Sequence, residues 1–264
     1  MSCDIYKPLI EEMRWSYSRI TAFSQCPYCW YLKYIHGSEE DELFYASFGK
    51  FMHKLLEKFY KGEALPAELE AEFFSDFADS VIGARPQNIS TYIEQGSKFL
   101  RELQKPSFEV LCVEKFVRFE ISNKKFVGVI DLLAKDENGI FIVDHKSHKL
   151  SKPSGRAKPT KSDEELSIYL RQLYVYSAAI WQNYEVLPYK LCFNCFMNGK
   201  FIEVPFDMKA YEEAKQWAVD EISYIENVDD FYPRYDWFFC KNLCGFHNDC
   251  CYFDEWKRRG AKTG

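Results

Sequence analysis

KFVGVIDLLAKDENGIFIVDHKS, residues 125–147, decides how this chain is read. Two β-rich runs flank DENG, a strong hairpin turn. Two turn registers fit. With Glu137-Asn138 as the loop, Asp131 pairs with Asp144; with Asn138-Gly139 as the loop, Asp131 pairs with Lys146. Residues directly opposite on paired strands share a face, as do residues 144 and 146 on one strand. Either register, without a bulge, gathers Asp131, Asp144 and Lys146 on one face. These polar groups interrupt otherwise apolar strands made of Val127, Val129, Leu133, Ile140 and Ile142. Two carboxylates suit Mg²⁺ or Mn²⁺, which take hard oxygen ligands. Such an ion polarises a phosphate and lowers the pKa of bound water. A lysine beside it orients that water or stabilises charge at phosphorus. A cross-strand salt bridge is the plainer alternative, since structural ion pairs are common.

Outward from the hairpin, the periodicity predicts helices over 16–24, 43–60, 67–83, 90–104, 163–183 and 208–226. Over 43–60, Phe48, Met52, Leu55 and Phe59 form one stripe. Strands are expected from PSFEVLCVEKFVRFEI, near 189–197 and over 200–206. The order of elements predicts an α/β core with helices on its faces. The chain has 264 residues, 47% of them hydrophobic and 18% aromatic, which suits a globular chain with a sizeable core. The net charge of −6 argues against a wholly basic nucleic-acid coat but leaves room for a local basic groove. One such stretch is HKSHKLSKPSGRAKPTKS, residues 145–162, with six Lys or Arg and no acid. It reads equally as a phosphate grip and as a solvated loop. No apolar run reaches membrane-span length, and the first residues carry no apolar stretch of signal-peptide type, so a cytoplasmic, reducing setting is expected.

Five motifs occur in an order that resembles the PD-(D/E)XK nuclease superfamily, in its RecB/AddB/Cas4-like iron–sulfur exonuclease branch. GVIDLL carries the Asp and IVDHKS the (D/E)-x-K. SYSRITAFSQCPYCWYLKYI (16–35) resembles the branch's N-terminal stretch. FGKFMHKLLEKF (48–59) resembles its G-x-x-x-H helix, with Gly49 and His53, and QLYVY (172–176) its Q-x-x-x-Y motif. The resemblance implies a restriction-endonuclease-like fold: a central mixed β-sheet flanked by helices, with the C-terminal cysteine-rich segment docked on the N-terminal helical region. It further implies one domain over 1–264, with a helical part at about 16–105, a catalytic β core at about 108–206, and a C-terminal helix and cluster segment at about 208–251. His53, Asp131 and Asp144 are implied metal ligands, with the backbone carbonyl of His145 a further one. Lys146 is the implied catalytic lysine, and Gln172 and Tyr176 brace the site. Glu114, in VEKF, falls where the family often has an acid on the preceding strand. Read without the resemblance, His53 is a core-edge histidine, and Gln172 and Tyr176 are ordinary helix packing on a face shared with Tyr169.

The remaining signal is CKNLCGFHNDCC, residues 240–251, with four of the ten cysteines in twelve residues. In a reducing setting such a group leans toward metal. By resemblance, Cys240, Cys244 and Cys250 join Cys26 to hold a [4Fe–4S] cluster, with Cys251 or Cys29 able to replace a neighbour. Zinc is the chemical alternative for four thiolates. Cys112, Cys192 and Cys195 lie in β segments and read as small buried hydrophobes, and Cys3 as a free terminal thiol. The aromatics Tyr28, Trp30, Tyr31 and Tyr34 read as core rather than as a base-stacking stripe. The expected activity is metal-dependent DNA exonuclease action in repair, recombination, or phage or CRISPR-type processing, with single strands or frayed ends favoured. No helicase-type phosphate loop is present, so a helicase or recombination partner supplies any unwinding. A non-catalytic DNA-binding or adaptor module, and a zinc-stabilised structural protein, are the readings set against it.

Overall fold

Three strands fold back on one another to build the centre of the molecule. The computed structural model describes residues 5–255; Cys3 lies outside the described residues. β1 (Glu109–Ile121) turns into β2 (Lys124–Asp136) through Ser122 and Asn123, whose φ angles of 47° and 66° are both left-handed. A two-residue turn of that kind matches the right-handed twist of its strands. β2 then turns into β3 (Gly139–Lys146) with Asp136 opposite Gly139, so Glu137-Asn138 is the loop. Asp136 Oδ1 accepts a hydrogen bond from the Asn138 N–H at 2.9 Å and closes the turn.

α7 (Lys161–Tyr184) carries the chain across to β4 (Lys190–Cys195), which runs parallel to β3. Parallel neighbours need such a crossover. A capping box between Thr160 and Asp163 starts α7. β5 (Lys200–Pro205) closes a mixed five-stranded sheet in the order β1-β2-β3-β4-β5. Helices cover both faces. On one side α7 and α8 (Met208–Glu226) pack on Ile130, Leu133, Ile142 and Phe193. On the other, Leu132, Phe141, Val143 and Cys192 form a second apolar layer against Tyr60 of α4 (Phe44–Lys61). The amphipathic stripe of α4 continues into a third cluster with α5 (Pro66–Ser80) and α6 (Ile89–Arg101), around Phe48, Met52, Phe73 and Leu100. The expected α/β architecture is thus observed.

The sheet is irregular at two places, a bulge between Val110 and Cys112 of β1 and a slip beside Asp131. Ile130 and Leu133, three apart, belong to the same core cluster, so the alternation of β2 slips by one residue beside Asp131. Opposite, Val113↔Leu132 and Lys115↔Ile130 bracket Glu114, whose φ of 46° is left-handed. Pairing of β2 with β3 stops at Leu132↔Val143, while β1 and β2 continue alone as a two-stranded ribbon to Ile121↔Lys124. A bridge from Trp15 to Phe126 supports the ribbon's other edge.

At the N-terminal end, α1 (Lys7–Glu11) precedes α2 (Tyr17–Gln25), which is capped by Ser16 and broken at Cys26-Pro27; α3 (Pro27–Tyr31) and a wider turn over Leu32–His36 follow. Trp30 is fully buried, while Tyr28, Tyr31 and Tyr34 are partly buried, in keeping with the core reading. The cysteine-rich tail, with α9 (Trp237–Asn242), docks here: Cys244 and Phe246 pack on Leu32, and the Asp41 N–H donates to Gly245 O at 2.7 Å. Among the described residues, no helix is long and apolar enough to cross a membrane.

Gly128 has a steric reason. A Cβ there would lie 2.7 Å from the ring of Tyr176, which is buried and cannot swing away. A glycine inside a strand often marks such a close approach. Gly128→Ala is expected to cost about 1–3 kcal/mol, the usual penalty for overpacking. Thermal unfolding measures it, and an unchanged melting temperature contradicts the packing described.

Candidate active site

The sheet's irregularity gathers the polar residues. α4 presents His53 to the ribbon and to β3 at once. Its Nδ1 lies 3.3 Å from Glu114 Oε1 and 3.6 Å from Asp131 Oδ2, and its Nε2 3.1 Å from the carbonyl oxygen of His145. His53, Glu114 and Asp131 place one donor atom each within 4.8 Å of one another, a spacing that a single metal ion can span. Asp131 Oδ2 also accepts the His145 N–H at 2.8 Å.

Asp144 and Lys146 lie alongside. Lys146 Nζ is 2.8 Å from Asp144 Oδ2. That contact is an ion pair without hydrogen-bond alignment, for this buried oxygen has no hydrogen-bond donor. Lys146 donates instead to Gln172 Oε1 at 3.1 Å and sits 4.7 Å from the centre of the Tyr169 ring. Tyr176, one turn further along, lies on the same face of α7. The face of α7 that carries Tyr169, Gln172 and Tyr176 therefore braces the lysine.

The charges are strongly coupled. Burial pushes Asp131 up to about 7, with the nearby Asp144 charge adding to the rise. Burial works against a charged His53, but the hydrogen bond to Glu114 and the charges of Asp131, Glu114 and Asp144 push it up to about 9. Both of its ring nitrogens face acceptors, which suits the imidazolium form. Burial also opposes the Lys146 ammonium, yet Asp144 and Asp131 more than offset that and raise its pKa. The His145 ring meets the His53 ring edge to face, with centroids 5.5 Å apart. It is buried and stacks on Tyr60 at 5.5 Å, accepts from Asn194 Nδ2 at 3.2 Å through Nδ1, and is held neutral by burial.

Of the residues singled out around the hairpin, His53 and Asp131 come together with Glu114 in one group, while Asp144, expected as a further ligand, lies outside that group and pairs with Lys146. The strained φ of Glu114 is the kind of feature that collects at functional sites. Two participants were not singled out. Gly128 had a readable signal, a glycine inside a strand. Asn194, which holds the His145 ring, had none. The 145–162 stretch is mostly exposed, with Lys149, Lys152, Arg156 and Lys158 in solvent, and Ser154 ties it to Asp163 at the start of α7.

The cysteines separate by burial. Cys26, Cys240, Cys244 and Cys250 are buried at the junction of the N-terminal helices and the tail; Cys29 is partly buried and Cys251 exposed. Cys29 Sγ lies 3.5 Å from Cys244 Sγ. A hydrogen bond from Cys29 brings Cys26 down to about 6 and also lowers Cys244, which favours thiolates. Burial instead raises Cys240 and pushes Cys250 up to about 11, and among the described residues no three cysteines offer sulfurs within 4.8 Å of one another. Cys192 and Cys195 are buried in β4, where burial pushes Cys192 up to about 12, and Cys112 is partly buried.

A sequence model of the PD-(D/E)XK nuclease superfamily matches residues 14–251. No curated protein matches the chain. Among solved structures, one from Eubacterium rectale with a provisional exonuclease name superposes with a TM-score of 0.52 at 13% identity, over 95% of this chain and 94% of that one.

The charge coupling gives a pH test. His53 is raised from 6.5 to about 9 and Asp131 from 3.8 to about 7. A raised group stabilises the fold fully below its unfolded value, and that stabilisation is lost as pH rises through the folded value. For the metal-free protein, this part of the stability therefore declines between about pH 4 and pH 9. A cation bound here displaces the same protons, so the Mn²⁺-induced rise in melting temperature should grow from about pH 6 to pH 8. Asp131→Asn should remove most of that rise. A rise that does not vary with pH speaks against this site.

Proposed function

This chain belongs to the PD-(D/E)XK nuclease superfamily, and on that premise we propose a Mg²⁺- or Mn²⁺-dependent deoxyribonuclease that shortens DNA from an end. DNA repair, recombination, or phage or CRISPR-type processing is its proposed setting. The observation that carries the reading is the convergence of His53, Glu114 and Asp131 beside the Lys146–Asp144 pair. A bare salt bridge would not also draw in a histidine from α4 and a third carboxylate.

In this reading His53, Glu114, Asp131, Asp144 and the His145 carbonyl hold the metal. When bound, it polarises the scissile phosphate and lowers the pKa of the attacking water. Lys146 stabilises charge that develops at phosphorus, and Gln172 and Tyr169 keep its ammonium aimed there. Tyr176 braces the same face of α7. The basic 145–162 stretch grips phosphates without reading sequence. A single such set on the chain suits progressive shortening better than paired cuts. Cys26, Cys240, Cys244 and Cys250 hold a structural [4Fe–4S] cluster, which when bound clips the N-terminal helices to the tail.

Lys146→Ala is expected to lower cleavage at least about a hundredfold while DNA and metal binding persist, since its effect falls on the transition state. Asp144→Ala should lose both cleavage and part of the metal affinity. A wild-type protein that never cuts, with variants that unfold, returns the hairpin to a structural salt bridge. Linear and covalently closed circular single-stranded DNA separate end-dependent from internal cutting; equal rates on both remove the exonuclease part. Protein purified without oxygen should be brown, with about four iron and four sulfide per chain. Stoichiometric zinc in a colourless, folded protein overturns the cluster assignment alone.

A further inference from the structure

Resting on the nuclease reading, we propose that the outer face of the β1–β2 ribbon is a platform for single-stranded substrate. On it Phe116 and Val129 take the base next to the reacting phosphate, and Arg118, Lys125 and Arg14 hold the phosphates beyond.

Beyond Asp131 the ribbon has one covered face and one open face. Val117, Phe119, Phe126 and Ile130 are buried in the core toward α7. The open face carries the cross-strand pairs Phe116↔Val129, Arg118↔Val127 and Glu120↔Lys125. Phe116 is 54% exposed and Val129 40%. A single exposed apolar side chain is ordinary. Here two are directly paired, and each lies two residues from a carboxylate of the candidate metal site, Glu114 on β1 and Asp131 on β2.

They share the face of those carboxylates. Lys115, between Glu114 and Phe116, points to α7, where its Nζ meets the Tyr184 hydroxyl at 3.2 Å. Ile130, between Val129 and Asp131, is buried in the α7-side core. The flanking residues therefore point outward, with the acids that meet His53. Two residues along a strand span about 7 Å, roughly the reach of one extended nucleotide. A phosphate at the metal site thus places its neighbouring base over Phe116 and Val129.

Charge supports the same occupant. The Arg118 guanidinium lies 5.2 Å from the centre of the Phe116 ring, extending the aromatic surface with a planar cation. Among the described residues Arg118 has no ion-pair partner. At the end of the ribbon a hollow of about 290 Å³ is lined by Arg14, Arg118, Lys125, Glu120 and Gln182, three cations against one acid. Arg14 is brought there by the Trp15 bridge, in which Trp15 N–H donates to Lys125 O at 2.8 Å and accepts from Val127 N–H at 2.7 Å through its carbonyl. An aromatic plate next to spaced cations is how single strands are held without sequence preference. A duplex keeps its base faces stacked inside except at its ends, so along its length it offers this plate nothing.

The test measures binding of a ten-nucleotide oligothymidine and an abasic strand of equal length, in EDTA, where nothing is cut. Wild-type protein should prefer the thymidine strand. Phe116→Ala should weaken that strand about tenfold or more and the abasic strand hardly at all, while Phe116→Trp keeps the preference. Arg118→Gln and Lys125→Gln should weaken both strands alike, each lowering the salt slope by about 1. Equal losses on both strands for Phe116→Ala, or no loss, overturn the platform. A wild type that cuts DNA yet binds both strands alike also overturns it and leaves the nuclease reading intact. A wild type that binds neither strand but cuts DNA in Mg²⁺ overturns the platform alone, and one that neither binds nor cuts overturns both.

Discussion

Asp131 and Asp144 are like charges held close together in a partly closed site, and the rest of the architecture arranges itself around that repulsion. Each leans on a cation from a different layer. His53, from α4 on one face of the sheet, meets Asp131 and Glu114; Lys146, braced by α7 on the other face, meets Asp144. Two cationic side chains serve three carboxylates, so the ionised set carries a surplus of negative charge. Burial, with the Asp144 charge adding to it, raises Asp131 to about 7. The sheet accommodates the crowding by departing from regularity: β2 slips beside Asp131, β1 takes a left-handed residue at Glu114, and the ribbon parts from β3.

Much of this was legible in the sequence because a hairpin is local. DENG limited the register to two choices, and both brought Asp131 toward Asp144 and Lys146; the first of the two is the one observed. The slip in β2 was not legible, since it answers a strain visible only when Glu114, Asp131 and His53 come together. Nor did the pairing of β1 stand out. Its turn, Ser122-Asn123, lacks the glycine that usually signals a tight hairpin, and asparagine's tolerance of left-handed φ substitutes for it. Without that turn, Glu114 had no partner to be placed against. The stripe of α4 positioned His53 only beside a core, and just the family pattern suggested a ligand. The short helices Lys7–Glu11 and Trp237–Asn242 are too brief to carry a periodic signal.

The tail poses the opposite case, a long-range contact with a strong composition signal. Cys26 and Cys244 are separated by almost the whole chain, yet the bunching of cysteines in the tail stands out in composition alone. Composition announced the junction, and burial then sorted the sulfurs: four inside, Cys29 between two of them, Cys251 outside. The apolar contacts of Leu32 with Cys244 and Phe246 hold the two ends together by packing. That packing holds the junction with the cysteines free.

α7 touches three working parts of the molecule in turn. At its start Asp163 holds Ser154 of the basic stretch. In its middle Gln172 meets Lys146, and Tyr176 lies on Gly128. Near its end the Gln182 side chain pairs with the backbone of Glu120 on the open edge of β1. A helix turns about 100° per residue, so inserting one residue between Gln172 and Gln182 swings one of these attachments away from its partner. The exposed stretch between Lys146 and α7 has no such phase to keep. Insertions and deletions that survive in this protein should therefore collect in that stretch and be missing from the second half of α7, where length itself is under selection.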